Sequence, residues 1–273
     1  MLDENFFLII IAFIWLIGAI IQDFRKREVA NWWNFSLIAV ALAYRAFLSV
    51  YNWNYLYFVY GLLGFAVFFI LANLFYYSRV FAGGDAKLLM GLGAVLPFSS
   101  SLLSNLMIFL YFVLLLLFLG GIYTLIYSFI LVLNNRKKFK KEFSKQFKRN
   151  EKIIDILFFI AVFFAILVLI FEVDVLVVMP ILLFLFPFLY IYAKSIEESC
   201  MIKFVSAGKL TEGDWLYENV KIGEKIIKPS WEGLSEKELK ILKNSRKKVR
   251  IKEGVPFTPG FLFALVVLLL LIY

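Results

Sequence analysis

Histidine is absent from the 273 residues and cysteine occurs once, as Cys200. These two gaps remove several chemistries together: zinc proteases built on His pairs, Ser-His-Asp triads, Cys-His dyads, haem ligation and thiolate clusters. A disulfide within the chain is excluded, and cysteine usage does not report the redox compartment. Catalysis, if there is any, has to rest on carboxylates, Lys, Ser/Thr or Tyr, and neither metal nor cofactor is expected. Polar stretches are scarce too. Hydrophobic residues make up 63% of the chain and the mean hydropathy is +0.86, whereas soluble domains are roughly half apolar. The 32 Phe, 14 Tyr and 6 Trp lie in long apolar runs rather than in alternating or amphipathic patterns. The expected fold class is all-α: a polytopic helical membrane protein.

Apolar runs cover residues 6–21, 32–50, 56–77, 86–96, 102–133, 153–171, 175–193 and 257–273. About 20 helical residues cross the hydrocarbon, so about eight transmembrane helices are expected, with 86–96 short and 102–133 long. Reading 102–133 as two passes would put the basic stretch after it on the opposite side from the other basic loops. A single long span, kinked at Gly120 and Gly121, keeps Lys and Arg on one side. With the N-terminus outside, the inner face receives Arg25, Lys26, Arg27, Arg79, Lys87, residues 134–152 and residues 194–254, while Asp3, Glu4, Glu172 and Asp174 fall outside. Of the 29 basic residues only Arg45 lies away from the inner side. The first run follows two acids instead of a basic region and lacks a small-residue cleavage site, so it is expected to be a retained helix.

This divides the chain into a membrane core (1–133), a basic cytosolic loop (134–152), a helical membrane pair (153–193), a small cytosolic segment (194–256) and a last transmembrane helix (257–273). The net charge of +9 reads as topology, with anionic lipid as the partner of the basic loop. Nucleic acid is not expected, because stacking aromatics and a binding module are missing. Ser235 should cap a short helix running to Lys243.

Ionisable residues at membrane depth are functional candidates by default. Asp155 suits a helix N-terminus, Asp174 a solvated turn and Asp214, after Gly213, a polar turn. Asp23 and Asp85 remain, at the inner ends of the first and fourth spans. Two carboxylates around one water cannot both ionise cheaply, so one stays protonated while the other acts as base. That chemistry needs no metal, histidine or cysteine. Each residue also has a plainer explanation: Asp23 as a salt-bridged loop acid beside Arg25 to Arg27, and Asp85 as a helix N-cap. Gly83 and Gly84 precede Asp85 and allow a substrate strand to come close.

The stretches Asp23-Phe-Arg-Lys-Arg-Glu-Val-Ala-Asn31 and Gly83-Gly-Asp-Ala-Lys87 resemble the motifs of the type IV prepilin peptidase and archaeal preflagellin peptidase family, GxGD-type intramembrane aspartyl proteases. Asp23, Arg25, Arg27, Val29 and Asn31 match the first motif, and Gly84, Asp85 and Lys87 the second. Ala30 stands where many members have Pro. Ala82 replaces the first Gly, and Gly83 is expected to supply the flexibility one residue later. Residues 210–216 and 253–257 are similar to the appendage of archaeal members; nothing resembles the paired-Cys domain of bacterial members, so N-methylation is not expected.

The resemblance implies an aspartic endopeptidase with Asp23 and Asp85 as its catalytic residues. It would cut class III signal peptides of prepilin-like or preflagellin precursors at the cytosolic face of the cell membrane, with both termini outside. The residues themselves leave two other readings open: an ion-coupled carrier using the same two acids, and a non-enzymatic scaffold. Precursor, oligomeric state and the role of 200–254 are not encoded in any motif.

Overall fold

The computed structural model describes residues 2–171, 177–223, 225–245 and 247–273. Glu172 and Asp174, read above as an outer turn, lie outside the described residues.

Helices dominate the described chain. They are α1 (Leu2–Lys26), α2 (Asn31–Tyr51), α3 (Leu56–Tyr77), α4 (Gly83–Val95), α5 (Leu102–Asn134), α6 (Arg136–Phe171), α7 (Val178–Ile196), α8 (Glu236–Ser245) and α9 (Thr258–Ile272). Six of them, α1, α2, α3, α5, α6 and α7, are long and apolar enough to cross a membrane. Their outward residues are large and apolar, as at Ile17, Phe35, Ile70, Phe118 and Phe163, and only hydrocarbon solvates such a surface without penalty. The chain is a multi-pass membrane protein.

The expected count of eight spans is not reproduced. At 13 and 15 residues, α4 and α9 extend about 20 and 22 Å, short of a hydrocarbon core of about 30 Å. The ends of α4 have local causes: it begins at Gly83, and Pro97, two residues past its end, lacks the N–H that would continue it. By contrast, the 102–133 run forms one unbroken helix, α5.

The chain divides into two compact units, residues 1–126 with 255–273, and residues 127–254. In the first, α4 is the most enclosed element, buried at Ala86, Leu88, Leu89 and from Gly91 through Val95. It meets α3 backbone to backbone: a Cβ on Gly64 would stand 2.2 Å from the Gly93 carbonyl oxygen, and one on Gly93 would stand 2.6 Å from that of Gly64. Such small-residue contacts are how helices close in without a hydrophobic drive between them. On the other side α1 and α2 are locked by two indoles. Trp15 Nε1 donates to the Trp33 carbonyl at 3.0 Å, Trp33 Nε1 donates to that of Trp15 at 2.9 Å, and the rings stack at 5.2 Å.

One end of this unit is tied by polar contacts. Asn5 Nδ2 donates to the Phe98 carbonyl at 2.9 Å, Tyr57 donates its hydroxyl to Glu4 at 2.6 Å, and Tyr44 donates to the Glu4 carbonyl at 3.1 Å. Arg45 also works here. Its side chain, 1% exposed, donates from Nε to the Ala94 carbonyl at 2.7 Å and from Nη2 to those of Val95 and Pro97, both at 2.8 Å. The basic residue that breaks the charge asymmetry therefore satisfies buried carbonyls at and just past the C-terminus of a half-length helix.

In the second unit, residues 136–152 are not the expected loop but the first half of α6. Phe139, Phe143 and Phe147 recur every four residues and share one helical face. Phe139 meets Tyr192 at 5.8 Å and Phe147 meets Phe188 at 6.4 Å, while Lys137, Lys141, Lys145 and Lys148 stay exposed. The apolar stripe outweighs the charge on the remaining faces.

The polar segment after α7 folds around strands that its composition does not announce. These are β1 (Ile202–Ser206), β2 (Trp215–Leu216), β3 (Val220–Ile222), β4 (Lys225–Ile227) and β5 (Lys248–Lys252). They form an antiparallel sheet of order β1-β5-β2, with Phe204 opposite Arg250, and a β3-β4 hairpin. A separate small core gathers Leu210, Leu216, Leu239, Leu242, Val249 and Ile251. Ser235 caps α8 as expected, in a box: Glu238 N–H reaches Ser235 Oγ at 3.5 Å and Ser235 N–H donates to the Glu238 carboxylate at 3.0 Å.

Candidate active site

Asp23 lies in the last turn of α1 and is 8% exposed. The helix stops four residues on because Arg27, with φ 57°, takes the left-handed conformation common just past a helix end, and its N–H bonds the Asp23 carbonyl at 2.8 Å. The chain then turns into α2, held by the Ala30 N–H on Gln22 Oε1 at 3.0 Å. This turn brings Val29 against the start of α4, where a Cβ on Gly84 would stand 3.4 Å from the Val29 nitrogen. A side chain at Gly84 would therefore make ordinary contact with Val29, and packing alone does not demand glycine there. Gly83 and Gly84 sit in the first turn of α4 and neither has positive φ, so the expected backbone freedom is not what they supply. Ala82, in place of the first motif glycine, adopts an ordinary extended conformation with φ −72° and ψ 162°.

Asp85 is the third residue of α4 and half-buried. It is not the N-cap; its carboxylate accepts from the Ala82 N–H behind it, as the acidic member of a capping box does. Two residues of α2 hold this turn. Asn34 Nδ2 donates to the Gly84 carbonyl at 3.3 Å, and Lys87 Nζ donates to Asn31 Oδ1. Asn34 is fully buried, and its Oδ1 has no hydrogen-bond partner among the described residues.

The third wall comes from the far end of the chain. Thr258, the first residue of α9, donates to Asp23 Oδ2 twice, from Oγ1 at 2.9 Å and from its N–H at 3.2 Å. The preceding Phe257 places its ring 5.2 Å from that of Phe81, in the loop that leads to Asp85. Asp23, Thr258, Phe257, Phe81 and Asp85 therefore follow one another at one end of the unit. The Asp23 carboxylate is near enough for its charge to act on Asp85, and Arg27 acts on Asp23.

The structure thus gathers Asp23, Asp85, Gly84 and Arg27, with the Asn31–Lys87 bond beside them. Arg25 is exposed, and Gly83 faces the Tyr76 ring, 3.7 Å from where a Cβ would be. Asp155 is exposed on α6 and Asp214 lies in the turn before β2, both in the second unit. Asp214 Oδ2 accepts from the Thr211 N–H at 2.7 Å, and its carboxyl is held above its ordinary value by burial, against the pull of that bond. The sequence reading missed Thr258, Asn34 and the task of Arg45. For Thr258 the available signal was local only, a Thr-Pro pair opening a helix.

Fold and site together define a helical membrane protein with two acidic side chains within electrostatic reach of each other at the ends of two helices. Residues 10–128, which contain both acids, match the type IV leader peptidase family. Over 88 residues the chain is 36% identical to a preflagellin peptidase of Methanocaldococcus jannaschii, covering 32% of this chain and 37% of that protein. A preflagellin peptidase of Methanococcus maripaludis is 34% identical over 88 residues, 32% of this chain and 38% of that one; for one of Methanococcus voltae the figures are 32% over 82 residues, 30% and 35%. The matched stretch spans little more than a third of these curated relatives. No solved structure matches the chain significantly. Thr258 lies beyond every residue of the family match.

Proposed function

We propose that the chain is a membrane aspartyl endopeptidase that removes class III signal peptides from prepilin-like or preflagellin precursors at the cytosolic face. The observation that carries this is that Asp23 and Asp85, 62 positions apart in the sequence, come within electrostatic reach of each other at one end of the unit. The match to leader peptidases and the preflagellin peptidases among its relatives supply the substrate class.

The chemistry follows from the pair. With one proton shared between them, the ionised carboxylate takes a proton from water as its oxygen attacks the scissile carbonyl carbon. The protonated partner gives its proton to the carbonyl oxygen, and the collapse of the tetrahedral centre passes a proton to the leaving amine. One water is consumed, and an acid and an amine are released. A carrier would favour charges at the bilayer midplane on broken helices, whereas these acids stand at helix ends.

In this reading α4 and α9 complete their crossings despite their short length, both termini are outside, and the inner face carries the site, residues 136–152 and the small sheet, with anionic lipid opposite the basic half of α6. Co-expression with a panel of pilin-like and archaellin-like precursors tests the activity: a mobility shift of at least one precursor is expected, and intact precursors throughout would refute it.

A further inference from the structure

We infer that Thr258 is a positioning residue for the Asp23 carboxylate, so that α9 completes the active site; this rests on the peptidase reading above. Both donors of Thr258 converge on one oxygen, Oδ2, at 2.9 and 3.2 Å. The Phe257 N–H adds a further bond to the same carboxylate. Thr258 is 0% exposed and Asp23 8%, so bulk water does not replace these bonds.

The N–H of Thr258 is one of the donors that a helix start leaves unpaired, and here its acceptor is a carboxylate at the positive end of the α9 dipole. Its placement is enforced by packing. A Cβ on Gly120 would meet the Phe257 ring at 2.4 Å, and one on Gly260 would stand 3.0 Å from the Gly120 Cα. The start of α9 is therefore pressed into α5, and this contact, rather than a kink, is what Gly120 is needed for. On its other side Phe257 meets Phe81 at 5.2 Å and Phe261 meets it at 5.8 Å. A carboxylate anchored by these bonds keeps its orientation, and proton transfer tolerates little misplacement.

A packing role and a hydrogen-bonding role predict opposite rankings. Valine keeps the branched shape of threonine and loses the hydroxyl; serine keeps the hydroxyl and loses a methyl. Full-length Thr258→Val, Thr258→Ser and Asp23→Asn proteins in detergent are to be assayed on a precursor that the unaltered chain cleaves, with Thr258→Ala as a second donor-less variant if Val does not accumulate. Losing a bond to a charged acceptor is expected to lower kcat about 10- to 100-fold. KM should stay within about twofold because Thr258 does not face substrate, and Ser should stay within about threefold of the unaltered enzyme. Val or Ala as active as the unaltered chain, or Ser as poor as they are, would overturn the assignment. Asp23→Asn separates the two claims: full activity there refutes the peptidase reading itself, whereas an inactive Asp23→Asn beside a fully active Thr258→Val refutes only the role of Thr258.

Discussion

Replacing Arg45 by Met removes a buried cation and three hydrogen bonds while keeping most of the side-chain bulk. The carbonyls of Ala94, Val95 and Pro97 each lose a charged donor at 2.7 to 2.8 Å. No water reaches them, since Arg45 is 1% exposed and Val95 and Leu96 are 0%. Leaving a buried acceptor unpaired costs about 1–3 kcal/mol, so three cost about 6 kcal/mol at the middle of that range. Against this, the variant no longer buries a charge at membrane depth, a relief of about 3 kcal/mol on insertion scales. The balance is a destabilisation of about 3 kcal/mol, or a fall in Tm of roughly 6–12 °C by the scaling for chains of this size. Arg45→Lys should lose about half as much, because an ammonium offers its donors from a single point and cannot span three carbonyls. Cleavage should fall alongside, since α4 carries Asp85 at its other end. Thermal unfolding in detergent, followed by near-ultraviolet circular dichroism, reads the shift. An Arg45→Met protein that melts within about 1 °C of the parent would refute the balance worked here, in which three unpaired carbonyls outweigh the relief of the buried charge.

Two further predictions concern the frame of the site. Gly64→Ala puts a methyl 2.2 Å from the Gly93 carbonyl oxygen, a backbone atom that cannot move aside, and should lower Tm by several degrees through overpacking of about 1–3 kcal/mol; an unchanged Tm would show that α3 and α4 are not in backbone contact. In a Cys200→Ser background, a cysteine at position 145 should resist impermeant reagents in intact cells and one at position 273 should react, and the reverse pattern would overturn the proposed topology.

The spanning elements were legible because hydrocarbon imposes a length and a composition that single residues cannot disguise. Runs 32–50 and 56–77 reappear almost unchanged as α2 and α3. Charge hid α6: nine basic residues read as a loop, although Phe139, Phe143 and Phe147 already carried a helical stripe. The sheet was hidden by its brevity, yet Lys248-Val-Arg-Ile-Lys252 alternates with period two and buries Val249 and Ile251. The shortness of α4 was visible, but not what closes it, since Arg45 and Ala94 are 49 positions apart. The acids of the candidate site could be found because each sits in a local motif. Thr258 could not, being 235 positions from the residue it touches; only tertiary structure joins them.

The measurement that bears most directly on the central claim is precursor cleavage by well-expressed Asp23→Asn and Asp85→Asn proteins, with protein levels quantified in the same membranes. Each substitution removes a group that has to donate or accept a proton, so each should abolish cleavage. The double variant should be no worse than either single one, because residues that act as a unit are not additive. Asp155→Asn, Asp174→Asn and Asp214→Asn should cleave like the unaltered chain. Cleavage at the unaltered rate by either Asp23→Asn or Asp85→Asn would contradict the account.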